Sequence, residues 1–309
     1  MIQITEFKSL VDLLKKFPDE KTCIEHLEAI RWNGNVVSPF DPTSKVYKCA
    51  GFKYKCKNTG KYFNVRTGTI FEDTKVPIQK WFMAIYIVNS HKKGISSHQL
   101  AKDIEITQKS AWFIIHRIRY AQDHQNFKKT LRDVVQADES FFGGKNKNRH
   151  ASKKVKYNES KGRAFKDKTP VLGLMQYGQV SLTVIPNTQA ETMRPIIQNL
   201  VEKGSILVTD EYDPYRWLRG HCFHVIVNHS RGQYVNGAFH TNSIEGFWSH
   251  FKRGVYGIYH QVSRKHLHRY CAEFAFRYNT RKITDPNRFN LCLTGIEKRL
   301  TYKELIGHE

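Results

Sequence analysis

Two apolar runs, VVQADE at 134–139 within VVQADESFF and ILVTDE at 206–211 within SILVTDEY, each read as a buried strand that ends in a pair of adjacent carboxylates. Acids in that position are costly unless paired, neutralised or used. Successive strand residues point to opposite faces, so only one of Asp138 and Glu139, and one of Asp210 and Glu211, can look into a common site. Other strand-like runs lie at 169–177 (TPVLGLMQY), 180–186 (VSLTVIP) and 222–227 (CFHVIV), with helical segments near 191–202 and from Pro214. Strands interleaved with helices in this way predict an α/β domain built on a mixed sheet with helices packed around it.

A third acid follows on a helix whose buried stripe is Ile244, Phe247, Trp248 and Phe251. Glu245 lies beside that stripe, in a polar row with Asn242, Ser249 and Lys252. Three unrelated surface acids would leave the same spacing. If Asp138, Asp210 and Glu245 do meet, they repel one another and need cations to stay ionised together. Magnesium accepts carboxylate oxygens and substrate phosphates. Two such ions roughly 4 Å apart suit phosphodiester cleavage and joining, with manganese as a substitute.

The charge balance favours that chemistry. Fifty Lys and Arg face 28 Asp and Glu, a formal net charge of +22, which makes an anionic polymer the expected partner. The segment 143–168 holds ten basic residues against two acids and lacks apolar periodicity. It reads as a long basic loop in which Lys145, Lys147, Arg149, Lys153, Lys154 and Lys156 meet DNA phosphates, or else as a solvated surface excursion. The longest apolar run, Trp81–Val88, is shorter than the roughly 18 residues of a membrane span, and no secretory leader is evident, so a cytoplasmic, nucleoid-associated protein is expected. Six cysteines without regular spacing do not form a disulfide framework.

The region before residue 125 reads differently. Two short helices are expected within 5–32, then β-like pieces over 36–71 that form a hairpin module. A helix follows Pro77; Ser96 or Ser97 caps a second, and Thr107 caps a third that carries Ala111, Ile114, Ile115 and Ile118 on one side. This fits a helix-turn-helix, or any small bundle. On the former reading Gln108, Lys109, Trp112, His116 and Arg117 face outward toward DNA.

Six segments, 62–82, 90–119, 137–145 (ADESFFGGK), 208–215 (VTDEYDPY), 240–260 (HTNSIEGFWSHFKRGVYGIYH) and 273–281, resemble the insertion-sequence transposases related to the Merlin superfamily. The resemblance implies an RNase H-like catalytic domain with a DDE triad on Asp138, Asp210 and Glu245. Some relatives use an Asn and a downstream Lys in the third role, which puts Asn242 and Lys252 beside it as candidates. It further implies a zinc ribbon made of two CxxC pairs. Here those pairs read Ser38 with Asp41 and Cys56 with Thr59, so zinc is not expected.

The resulting division is a helical cap and ribbon-like module (1–75), a helix-turn-helix (76–125), a catalytic domain (130–285) and a C-terminal tail (286–309). The implied activity is a magnesium-dependent DNA transposase that binds terminal inverted repeats, cleaves and joins strands, and assembles as a homo-oligomer in a synaptic complex with target DNA. A domesticated DNA-binding protein that keeps the fold, and a nuclease or resolvase, are the alternatives.

Overall fold

The computed structural model describes residues 7–124, 127, 129–143, 152, 168–210, 215, 220–228 and 235–307. The chain divides into two units, residues 125–279 and residues 1–124 together with 280–309.

The acid-bearing run forms β4 (Val134–Phe142), in which Asp138 and Glu139 lie mid-strand rather than at the end, because pairing with the next strand continues to Phe142; the next two runs form β5 (Thr169–Gln176) and β6 (Gln179–Val184). A two-residue turn joins β5 to β6. Tyr177 and Gly178 in it both adopt positive φ, 44° and 76°, the turn whose twist matches an antiparallel hairpin. After α6 (Ala190–Leu200) come β7 (Ile206–Thr209) and β8 (Phe223–Ile226). The five strands lie in the order β6, β5, β4, β7, β8. β4 pairs antiparallel with β5 and parallel with β7, so the sheet is mixed, as expected.

Both faces of the inner strands β5, β4 and β7 are largely buried, which explains why they read as nearly continuous apolar runs, whereas the edge strand β8 is partly exposed. Val135, Ala137, Leu172, Leu174 and Leu207 pack with Met193 and Ile197 of α6. On the other face Phe142, Val171 and Met175 pack with Ile244, Phe247, Trp248 and Phe251 of α7 (Asn242–Gly254) and with Phe274 of α8 (Leu267–Asn279). The expected buried stripe of α7 is therefore present. The helix expected from Pro214 falls largely outside the described residues, as does most of the basic loop.

The other unit opens with α1 (Leu10–Lys16) and α2 (Glu20–Trp32), separated at Pro18. A three-stranded antiparallel sheet follows: β1 (Val46–Cys49), β2 (Lys53–Cys56) and β3 (Tyr62–Phe63). Then come α3 (Ile78–Ser90), α4 (Ser97–Asp103) and α5 (Gln108–Gln122). Ser96 and Thr107 cap the last two, their hydroxyls accepting from Gln99 N (3.1 Å) and Ser110 N (3.2 Å).

Residues 286–309 are not a loose tail. Most of α9 (Asp285–Leu293) and all of α10 (Tyr302–Ile306) lie there, and the segment is stitched into this unit. Phe289 meets Phe82 edge-on at 5.4 Å, Ile70 N donates to Ile296 O (3.0 Å), and Arg288 Nη1 donates to Asn89 O (2.6 Å). The signal was present in the sequence, since Phe289, Cys292, Leu293, Ile296 and Leu300 recur at helical spacing and all are buried.

His26 of α2 is buried against Phe17 and Phe82, with no hydrogen-bond partner for Nε2 among the described residues. Burial first, and the charge of Lys16 second, push its pKa from 6.5 down to about 4. Between those values the unfolded chain takes up a proton that the folded chain refuses, so this contribution to stability is lost as pH falls through the window. About 3 kcal/mol is at stake. Urea unfolding of His26→Leu and the parent at several pH values should show the variant losing markedly less stability between pH 6.5 and 4. Equal losses would mean that His26 does not titrate in this way.

Candidate active site and nucleic-acid interface

Along β4, residues 135, 137 and 139 look toward α6, and residues 136, 138 and 142 toward α7. Asp138 thus belongs to the α7 side. Glu139 belongs to the other, where it accepts a hydrogen bond from the fully buried Tyr215 hydroxyl. Of that adjacent pair, Glu139 is held in a structural contact.

Asp210 follows the last residue of β7. Gln136 pairs with Val208 across β4 and β7. The same parallel register carried two residues further sets Asp210 opposite Asp138. Glu245 occupies the first turn of α7, where its carboxylate accepts from the buried Thr241 hydroxyl (2.8 Å). Gln136, a polar residue in an apolar strand, accepts from Ile244 N (3.1 Å) and ties the start of α7 to β4.

Close approach of α7 depends on Gly173, which pairs with Asp138 across β4 and β5. A Cβ at 173 would stand 2.5 Å from Trp248 Cζ2 and 3.0 Å from Ile244 Cδ1, so no larger residue leaves the helix in place. Neither Gly173 nor Gln136 was singled out from the sequence. A glycine inside an otherwise bulky strand was the available signal.

These placements give Asp138 an unusual environment. Burial, then the charge of Asp210, and more weakly that of Glu245, raise its pKa from 3.8 to about 6. The Glu139 N–H, 2.8 Å away, opposes the rise. The Trp248 indole N–H, directed toward the same carboxyl, also lowers it. The three acids share one electrostatic neighbourhood. They are not drawn to coordination distance: among the described residues no three His, Cys, Asp or Glu side chains form a cluster that could hold a metal ion. Asn242 and Lys252 share the solvent side of α7 with Glu245, Asn242 exposed and Lys252 half-buried.

Residues 130–279, nearly half the chain and almost all of the sheet-bearing unit, match the model of the ISXO2-like transposase domain. An "uncharacterized protein in transposable element ISH50" from Halobacterium salinarum is 28% identical over 277 residues, 85% of this chain and 92% of that protein. An "uncharacterized transposase-like protein" from Haemophilus influenzae is 32% identical over 106 residues, 34% of this chain and 85% of that protein. The chain belongs to the insertion-sequence DDE transposases. A solved structure described as "Crystal structure of a pre-cleavage Mos1 transpososome" covers 68% of this transposase and 76% of its own chain, at 12% identity and a TM-score of 0.27, too slight a likeness to build on. Among the described residues no helix is long and apolar enough to cross a membrane.

The expected DNA-facing side of α5 needs correction. Lys109 is exposed and Trp112 half-buried, but His116 and Arg117 are buried. Arg117 donates to Leu300 O (2.9 Å), Ile70 O (2.7 Å) and Glu72 O (2.8 Å), and Tyr302 lies over Phe113 and Lys109. Burial, with the charge of Arg299, lowers the Arg117 guanidinium to about 10, which leaves it charged at neutral pH. The face read as free is covered by the segment at 300–302. Lys145, Lys147, Arg149, Lys153, Lys154 and Lys156 lie outside the described residues.

The ribbon positions come together without a zinc donor set. Burial alone would push the Cys56 thiol up, but the hydroxyls of Ser38, Ser44 and Thr59 and the Thr59 N–H bring it down from 9.0 to about 6. Asp41 is occupied, accepting from Thr43 N (3.0 Å), Thr43 Oγ1 (2.7 Å) and Asn58 Nδ2 (2.7 Å). One sulfur, two hydroxyls and a committed carboxylate do not fit zinc.

Two outcomes follow. Gly173→Ala should displace α7, costing about 1–3 kcal/mol in chemical denaturation and roughly 100-fold in transposition rate if Glu245 moves by about 1 Å. Parental stability and rate in that variant would show that α7 does not depend on this contact. The purified transposase should contain substoichiometric zinc by elemental analysis and keep its unfolding midpoint in chelator. One zinc per chain, lost together with folding, would reveal a donor set other than these four positions.

Proposed function

We propose that this transposase binds the terminal inverted repeats of its element and cuts and joins DNA strands at Asp138, Asp210 and Glu245. The observation that carries the reading is the coupling of Asp138 to Asp210 and Glu245 within a domain of the transposase family. Its core would be RNase H-like, with Asp138 in the central strand of a mixed sheet, Asp210 just after the neighbouring strand and Glu245 on α7.

The donor chemistry fits hard cations: all three groups are carboxylates, and their mutual repulsion is what an ion between them would relieve. Asp138, Asp210 and Glu245 would hold two magnesium ions, with manganese as a substitute. Bound there, the metal would activate a water or a 3′ hydroxyl and neutralise charge growing on the scissile phosphate. The protein's own contribution is placement. Gln136 fixes the start of α7, Thr241 orients the Glu245 carboxylate, and Gly173 lets the helix lie close to β4. Asn242 and Lys252 stand on the same side of α7 and could orient phosphate. The DNA and a second copy of the chain in a synaptic complex are the partners this reading requires.

The test is a strand-transfer assay with the element's own ends, run in magnesium and in manganese. Asp138→Asn and Asp210→Asn should each abolish cleavage and joining, by roughly 1000-fold or more, while terminal-repeat binding changes little. Glu245→Gln should cost nearly as much. Full activity in either aspartate variant would remove these residues from catalysis, and a Lys252→Ala loss far beyond that of Glu245→Gln would move the third role to Lys252.

A further inference from the structure

The small sheet β1–β2–β3 has two unlike faces. On one, Tyr54 and Phe63 stack with centroids 5.7 Å apart, and Trp32 of α2 meets both edge-on at 5.2 and 6.1 Å. This side anchors the sheet. Tyr54 and Cys56 are buried, and Lys53 and Lys55, alternating with them, turn the other way.

On that outer face the register sets Tyr47 directly opposite Lys55, and Lys55 directly opposite Tyr62. The three side chains form one row across the sheet. Tyr47 is 43% exposed and Tyr62 61%, and folding gains little from rings left in water. Lys45 Nζ stands 5.6 Å from the Tyr47 ring centroid and Lys55 Nζ 5.5 Å from that of Tyr62. Residues 44–63 contain six lysines and no acid, so the face is complementary to an anionic partner.

We propose that this outer face is a platform for an unpaired DNA strand, with bases stacked on Tyr47 and Tyr62 and backbone phosphates held by Lys45, Lys53 and Lys55. The two rings lie on the outer strands, about 10 Å apart at ordinary strand spacing. A splayed strand can set one base on each ring and a phosphate over the lysine between them. Intact duplex covers its base faces, and the lysines alone would suffice to hold its backbone. Stacking of this kind tolerates any base. The inference rests on the proposed reading, in which cut ends supply unpaired strand, and it adds a surface outside the acids that perform the cutting.

The test uses full-length Asp138→Asn protein, which cannot consume the probe. Fluorescence anisotropy is read on an oligothymidine strand of about 15 nucleotides, the upper scale of a small single-strand site, and on a random duplex of equal length. The Tyr47→Ser/Tyr62→Ser double variant should bind the single strand roughly 10- to 100-fold more weakly with duplex affinity nearly unchanged, and Tyr47→Phe/Tyr62→Phe should bind as the parent does. Replacing Lys45, Lys53 and Lys55 with Gln should flatten the single-strand salt slope by about two units. Equal losses on strand and duplex, or no loss in the serine variant, would overturn the platform. If the double variant unfolds, Tyr62→Ser alone decides, since that ring is the more exposed. Failed strand transfer alongside ring-dependent strand binding would refute the catalytic reading alone; ring-independent binding alongside intact strand transfer would refute the platform alone.

Discussion

A helix can bring a carboxylate over a neighbouring strand only where that strand gives up a side chain, and in this transposase the concession is Gly173. Trp248 and Ile244 fill the space that a Cβ would take, directly across from Asp138. Their packing holds α7 against the sheet and, with it, the charge of Glu245 within reach of Asp138. Gln136 adds a directional contact at the same place by accepting from the backbone of α7. The bulky core of Phe142, Phe247 and Phe251 then opposes the cost of setting like charges near one another in a partly dry site.

The second unit solves a different problem. Its helices are packed in part by the chain returning after residue 280, where Phe289 meets Phe82 and Arg288 donates to the carbonyl of Asn89. Arg117 shows the logic. A guanidinium with this little exposure needs its donors satisfied, and three carbonyls from two distant segments, Ile70 and Glu72 on one side and Leu300 on the other, supply the acceptors. The arginine thereby joins strands of chain far apart in sequence. In the three-stranded sheet, where relatives are expected to place a metal, hydroxyls around the Cys56 thiol and the carboxylate of Asp41 take over as hydrogen-bonded ties.

Much of this was legible in the linear chain, wherever the deciding physics is local. The α7 stripe, the caps at Ser96 and Thr107, and the mixed α/β character follow from side-chain period and capping chemistry, which act over a few residues. Asp138 and Asp210 stand out in the same way as carboxylates within or just after apolar runs. Glycine 173 left only a faint trace, because nothing in its neighbours announces a helix arriving from residues 244 and 248.

By itself the sequence determined the strands, the helices and the excess positive charge, since each depends on composition and short-range periodicity. Tertiary structure alone decided that Asp138 rather than Glu139 shares a neighbourhood with Asp210 and Glu245, because Tyr215, 76 residues away, takes the other carboxylate. It also decided that His116 and Arg117 of α5 are buried and that Tyr47 and Tyr62 are exposed. Helix and strand periods establish only which residues share a face. Whether that face meets water depends on which distant segment packs over it: residues 300–302 come to α5, and among the described residues no segment covers the two tyrosines, which stay in contact with solvent.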